Sequence, residues 1–289
     1  MTLKRFLFYA GVFLASYGVT KLVVNHNPTD LTKNTVMIVN KQMNSGGTGV
    51  IYESGKSGSY VLTNRHVCHV VENGGVVRTT TGDYQVTSYV ESQVSDLCLI
   101  YLPADLKQNT KLAKSEPKVF SPSKVSGHPA LMPTIISMGH FSERQIITIM
   151  TGTRPCTPVD AEDPVNNLYC SFFGVVPVLK SYDSQLVSST IMPGSSGSGV
   201  YNNNNELSGV VFAGSGEFGY GWIVTYDQVK AFLNVESQNS NFVNVDQTLG
   251  QKAQPEGTTK EMLKKCVNAD NSVVLNICRV LKRDLVWNR

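Results

Sequence analysis

Met192-Pro193-Gly194-Ser195-Ser196-Gly197-Ser198-Gly199 interleaves serines with glycines, a composition that forms a tight loop and leaves a hydroxyl beside free backbone N–H groups. A serine hydroxyl is almost entirely protonated at neutral pH. Using it as a nucleophile requires a base within hydrogen-bond reach and donors aimed at the oxyanion that develops on the attacked carbonyl. Both kinds of partner lie upstream. His66 follows the apolar run Tyr60-Val61-Leu62 in Thr63-Asn64-Arg65-His66, and Asp96 heads a second apolar run, Leu97-Cys98-Leu99-Ile100. The order His, Asp, Ser fits acyl transfer with His66 as base, Asp96 as its orienting acid and Ser196 as nucleophile. Asp83 also lies between His66 and Ser196, but Gly82-Asp83 is a turn signature and reads as a hairpin residue. His66, Cys68 and His69 match no standard zinc spacing and no second Cys/His pair lies nearby, so neither a metal nor another cofactor is expected. His26, His128 and His140 read as loop or surface histidines.

The elements that must carry these groups are short. Apolar or alternating runs such as Thr35–Val39, Thr48–Tyr52, Tyr60–Leu62, Val76–Thr80, Gln145–Met150 and Leu207–Ala213 are separated by Gly, Asn, Asp, Ser and Pro. That spacing describes an all-β barrel or sandwich, not βαβ units. Asn202–Asn205 reads as a hairpin tip and Asp227–Leu233 as a short closing helix. The 289 residues accommodate one such domain with extensions, and 41% hydrophobic content suffices for its core. A net charge of +3, dispersed along the chain, does not indicate nucleic acid as a partner. No phosphate-binding loop, dinucleotide fingerprint or internal repeat is present.

With these pieces in place the chain resembles the trypsin-like, chymotrypsin-fold serine proteases, and within them the HtrA/Deg and glutamyl-endopeptidase branch. Gly46-Gly47-Thr48-Gly49-Val50, Thr63-Asn64-Arg65-His66, Ser95-Asp96-Leu97, Ser126-Gly127-His128-Pro129 and Pro193–Gly197 each resemble a stretch of that branch. The resemblance covers residues 34–235. It implies two six-stranded Greek-key β-barrels, with His66 and Asp96 on the first, Ser196 on the second and a polypeptide substrate in the cleft between them. In the triad mechanism Ser196 attacks the peptide carbonyl, His66 takes and returns the proton, and Asp96 holds the imidazole tautomer. Backbone N–H groups of Gly194 and Ser196 would form the oxyanion hole. Ser195 stands where digestive members carry an aspartate that pairs with a newly cut N-terminus, so activation through that ion pair is not expected.

By the same resemblance Thr190 lies at the base of the S1 pocket. One wall, offering backbone to an extended substrate, is the strand containing Val211, Phe212, Ala213 and Gly214. The expected floor carries no acid, which disfavours Arg or Lys at P1. Val211 falls where glutamyl endopeptidases carry a histidine, which argues against Glu. A small or apolar P1 residue remains, with Glu217 near enough in sequence to alter the pocket. A serine endopeptidase is therefore the leading expectation, and an inactive protease-fold module that binds extended peptides or a partner is the alternative.

The ends of the chain lie outside this domain. Lys4-Arg5 precedes an uncharged run from Phe6 to Val19, and apolar character resumes after Lys21. Residues 1–24 read as a signal anchor or signal peptide, 25–33 as a linker, 236–257 as a polar linker and 258–289 as a helical hairpin extension. The protein is expected to be exported, held to a membrane by the N-terminal segment or secreted after its removal. Lys260, Lys264, Lys265, Arg279, Lys282, Arg283 and Arg289 give the C-terminal extension a basic face that could meet a partner. Among the six cysteines, Cys156 with Cys170 and Cys266 with Cys278 are plausible disulfides. Cys98 reads as a buried free thiol, and Cys68 has no assigned partner.

Overall fold

The computed structural model describes residues 30–245 apart from 41, 43, 44, 73, 216–218 and 237–241. The expected anchor or signal at 1–24, residues 25–29 of the expected linker 25–33, Glu217, Cys266, Cys278 and the helical extension 258–289 with its basic face lie outside the described residues, while residues 30–33 lead through a turn into the first strand. No helix among the described residues is long and apolar enough to cross a membrane.

The N-terminal half is one antiparallel sheet. Its strands are β1 (Thr35–Asn40), β2 (Ser45–Gly55), β3 (Gly58–Thr63), β4 (Val76–Arg78), β5 (Asp83–Gln85), β6 (Ser88–Glu91), β7 (Cys98–Leu102) and β14 (Val243–Asn244), in the order β14-β6-β7-β3-β2-β1-β4-β5. The expectation of six strands is corrected to eight, for two physical reasons. First, β5 and β6 are halves of one extended segment interrupted at Val86 and Thr87; β5 pairs with β4 while β6 pairs with β7. Chain continuity through the buried Val86 thus joins β5, at one end of the hydrogen-bonded ladder, to β6, next to the other end. Second, the stretch read as a linker at 236–257 contains β14, which pairs Val243 with Tyr89 and covers the free edge of β6. Val243 and Asn244 are exposed between two anchored neighbours: Phe242 meets the Tyr60 ring at 5.9 Å and Val245 packs on the core. That core gathers Val36, Ile38, Ile51, Val61, Val77 and Ile100.

The C-terminal half closes. Strands β8 (Pro122–Gly127), β9 (Ile135–Pro155), β10 (Val175–Val187), β11 (Gly199–Tyr201), β12 (Leu207–Ser215) and β13 (Tyr220–Val224) form a barrel in the order β10-β13-β12-β11-β8-β9. Phe141, Val187, Ile191, Val200, Val211 and Ile223 fill it. The helix expected after β13 is α3, Tyr226–Glu236.

β9 and β10 pair far beyond the barrel, down to Pro155 against Val175. The intervening segment holds a helix, α2 (Pro164–Phe173), that was not singled out from the sequence. Its local signal was present: the Asp163 side chain caps the N–H groups of Val165 and Asn166, Pro164 opens the helix, and Gly174 ends it at φ 74°. The expected Cys156–Cys170 disulfide ties α2 to the ribbon, and Arg154 donates two bonds to Asp160 at 2.7 and 2.6 Å beside it.

A second helix, α1 (Arg65–Glu72), follows β3 directly and carries the candidate base. It is stapled to β7 by a Cys68–Cys98 disulfide. This corrects the reading of Cys98 as a free thiol and supplies the missing partner of Cys68. Pairing of β3 with β7 aligns Thr63 with Cys98, and the first turn of α1 brings Cys68 over that position.

Candidate active site

α1 and the loop between β6 and β7 place His66 against Asp96. The imidazole Nδ1 lies 2.7 Å from Asp96 Oδ2, and the His66 backbone N–H donates to Asp96 Oδ1 at 3.2 Å. The Asn64 amide donates to the Asp96 carbonyl at 2.9 Å, so both side chain and backbone of the acid are held. The Asp96 side chain is 6% exposed and that of His66 36%, which leaves the carboxylate sealed and the imidazole accessible. Burial by itself disfavours the imidazolium, but the charge and hydrogen bond of Asp96 outweigh it and leave the His66 pKa raised, with Arg65 partly opposing. Burial likewise pushes the Asp96 carboxyl up; the charge and hydrogen bonds of His66, aided by Arg65, overcome it and leave that pKa lowered.

Ser196 comes from the other half of the molecule, on the loop between β10 and β11. Thr48 of β2 clamps this loop. Its N–H donates to the Ser196 carbonyl at 2.7 Å, and its hydroxyl donates to the Gly194 carbonyl at 2.8 Å while accepting the His128 N–H at 2.9 Å. The adjoining Gly47 marks how closely the halves approach. A Cβ there would lie 2.8 Å from Val67 of α1 and 3.0 Å from the Ser196 carbonyl oxygen. One glycine thus separates the helix of the base from the residue proposed as nucleophile. His66 and Ser196 share no hydrogen bond in this structure; such bonds are commonly long in a resting enzyme and tighten when substrate binds.

The N–H groups of Gly194 and Ser196 donate to nothing among the described residues. Their directions follow from peptide planarity, which sets N–H and C=O of one unit in opposite senses. The Pro193 carbonyl is taken by Ala130 N–H at 2.5 Å and the Ser195 carbonyl by Ser198 N–H at 2.9 Å. The N–H groups of those two units therefore face away from these two bonds. Gly194 at φ 89° and Gly197 at φ 87° occupy the left-handed region, where a Cβ is penalised. Ser195 is buried, and its hydroxyl accepts the Met192 N–H at 3.3 Å, so the loop is braced locally.

The remaining expected residues separate into two groups. Val211 spends both backbone groups on the serine loop, accepting from Gly197 at 2.8 Å and donating to Ser198 at 2.9 Å, so its backbone is not offered to a substrate. Phe212 is buried with its ring 5.4 Å from Tyr182, while Ala213 and Gly214 continue along β12. β11 pairs β12 only as far as Val210, so beyond Val211 that edge of β12 has no strand beside it among the described residues. Thr190 is exposed at the entry to the loop, and Ile191 behind it is fully buried. A Cβ on Gly221 of β13 would lie 2.5 Å from Ile191, which places this isoleucine against the strand facing Ala213 and Gly214. Sequence reasoning missed Thr48, Ile191, Gly221 and Tyr182; only Thr48 lay in a singled-out motif. Asp83 is the hairpin residue expected, paired with Arg78 at 2.7 Å. His140 sits exposed on β9, whereas His128 is in a loop but buried, its Nδ1 2.9 Å from the Met132 carbonyl.

The sequence matches the description "trypsin-like peptidase domain" over residues 47–210. No curated protein sequence matches the chain. Among solved structures, the Rv3671c protease of Mycobacterium tuberculosis in its active form is similar at 19% identity and TM-score 0.54, covering 73% of this chain and 85% of that one. An inactive mutant form of Rv3671c aligns at 17% identity and TM-score 0.54, over 74% and 93%. A serine endoprotease from Yersinia pestis aligns at 16% identity and TM-score 0.50, over 72% and 64%. At these identities the structural likeness speaks to the fold.

Proposed function

The chain belongs to the trypsin-like peptidase family and is a serine endopeptidase, and from that premise we propose that Ser196, His66 and Asp96 form its catalytic triad. The observation that carries this reading is the bidentate capture of Asp96 by the imidazole and backbone N–H of His66, at 2.7 and 3.2 Å. A buried carboxylate on Nδ1 keeps the other ring nitrogen, Nε2, free of its proton and available as base. Ser196 Oγ attacks the scissile carbonyl as His66 takes its proton. The tetrahedral oxyanion is received by the N–H groups of Gly194 and Ser196. Collapse releases the amine with the proton from His66, and a water repeats the sequence to free the acyl group.

Two features support an extended polypeptide substrate. The unpaired edge of β12 beyond Val211 offers backbone for strand addition through Ala213 and Gly214. The base of the S1 pocket, read at Thr190, adjoins buried Ile191 and the glycine-lined faces of β12 and β13, with no described acid among these residues. An apolar or small P1 side chain fits that lining, whereas a cation would lack a partner.

Work outside a reducing cytoplasm is part of the proposal, supported by the Cys68–Cys98 and Cys156–Cys170 disulfides. Membrane attachment through residues 1–24 remains a proposal from sequence. The deciding experiment is active-site labelling with a fluorophosphonate. Labelling that disappears in Ser196→Ala is expected. A folded protein that takes no label would instead fit the peptide-binding module without a working triad.

A further inference from the structure

Three residues that the triad does not use converge beside it. His69 and Glu72 lie one helical turn apart on α1, as His-x-x-Glu, with His69 Nδ1 3.0 Å from Glu72 Oε2. Glu91, the last residue of β6, completes the group: one ligand atom from each of the three side chains lies within 4.8 Å of the other two. Ligand atoms around a four-coordinate ion with bonds of about 2.1 Å lie about 3.4 Å apart, so side-chain rotations that draw these atoms together by up to roughly 1.4 Å close the group on a metal.

An observation independent of this geometry points to a ligand. The Glu91 Oε1 oxygen is sealed from solvent and has no hydrogen-bond partner among the described residues; a buried acceptor without a donor is costly and calls for an ion or water. In addition, the Tyr89 hydroxyl donates to Glu72 Oε1, fixing that carboxylate while its Oε2 faces His69. A hydrogen bond to the non-ligating oxygen is the usual outer support of a metal-binding carboxylate.

We propose that His69, Glu72 and Glu91 bind a divalent transition-metal ion, zinc in preference to calcium, with solvent completing a four-coordinate site. The imidazole sets the preference, since calcium takes oxygen ligands and zinc takes nitrogen readily. The site has a place in the architecture. His69 is three residues after His66, and Glu91 ends the strand that leads through Ser92 and Ser95 to Asp96. A bound ion ties the helix of the base to the segment carrying its acid, alongside the Cys68–Cys98 bond.

The test uses the full chain, stripped with EDTA and titrated with zinc chloride by calorimetry. Saturable zinc binding is expected, weakened at least about tenfold by His69→Ala and by the isosteric Glu91→Gln, and about 10–100-fold by Tyr89→Phe. Zinc should raise the melting temperature of the wild type and not that of the His69→Ala/Glu91→Gln double variant. Cobalt substitution supplies a readout that needs no variant: visible bands of a four-coordinate nitrogen/oxygen site are expected. Absence of zinc binding, binding undiminished in the double variant, displacement of zinc by equimolar calcium, or thiolate-to-cobalt charge-transfer bands would each overturn the assignment.

Discussion

The backbone N–H of Thr48 donates to the carbonyl of Ser196 at 2.7 Å, which fastens the second strand of the N-terminal sheet to the serine loop of the C-terminal barrel. The same residue binds the Gly194 carbonyl through its hydroxyl and accepts the Thr63 hydroxyl on its own carbonyl at 2.7 Å. Thr63 ends the strand from which the helix of His66 departs. One threonine thus joins both sides of the proposed active site.

Thr48→Val should expose how much that junction contributes. It keeps the shape and backbone bond but strips partners from the buried Gly194 carbonyl and His128 N–H, an expected loss of about 1–3 kcal/mol in denaturant unfolding. Turnover should fall more than KM rises, because the loosened group is the proposed oxyanion donor, and Thr48→Ser should restore most of both.

The pH dependence follows from the raised His66 pKa. With His66 as the proposed base, activity requires the neutral imidazole, so kcat/KM for a neutral substrate should rise with pH along a limb whose midpoint exceeds the ordinary histidine value of about 6.5. The ion pair contributes to stability in the opposite sense: present in full below the unfolded pKa, and lost as pH rises through the folded one. Asp96→Asn should lower turnover by about 10⁴-fold through the wrong tautomer while the protein stays folded. A limb centred below the ordinary value would contradict the pairing.

Gly197 permits a test of loop geometry. Its φ of 87° and a Cβ position 1.8 Å from the Thr48 carbonyl oxygen leave no room for alanine. Gly197→Ala should destabilise by more than about 2 kcal/mol, combining overpacking with left-handed strain, and should abolish fluorophosphonate labelling. Gly55→Ala, at a position with nothing within 4 Å, should change neither.

The Cys68–Cys98 bond follows His66 by two residues and Asp96 by two. Closing a 30-residue separation stabilises by roughly 3–4 kcal/mol in the chain-entropy account. A Cys68→Ala/Cys98→Ala variant should unfold at correspondingly lower denaturant and lose turnover, as measured by chemical denaturation and peptide hydrolysis under oxidising conditions.

Specificity can be moved at Thr190. A carboxylate introduced there by Thr190→Asp would give a basic P1 side chain its missing partner. Cleavage of a peptide library should shift from small and apolar toward Lys and Arg; an unchanged profile would place the pocket base elsewhere.

Much of this protein was legible in the chain because chemistry that depends on residue type leaves local marks. Ser196 lies in a glycine-rich loop, His66 follows a strand, and Asp96 opens one. Those same marks located most barrel strands, α3 and the Cys156–Cys170 pair. The miss at α2 was of another kind, since Asp163-Pro164 and Gly174 mark both ends of a helix that was not singled out.

What sequence alone determined was the set of candidate reactive groups and the periodicity of the strands, because side-chain chemistry and backbone preference are local properties. Partner choice belonged to the tertiary structure. Cys68 found Cys98 only once β3 and β7 aligned, and the continuity of β5 with β6 at Val86 changed the strand count. β14 came from a stretch too polar to read as strand, and Glu91 met His69 and Glu72 across a helix and a sheet edge. Each of these is a contact between segments distant along the chain, made by packing that buries both at once, and no window of neighbouring residues carries that information.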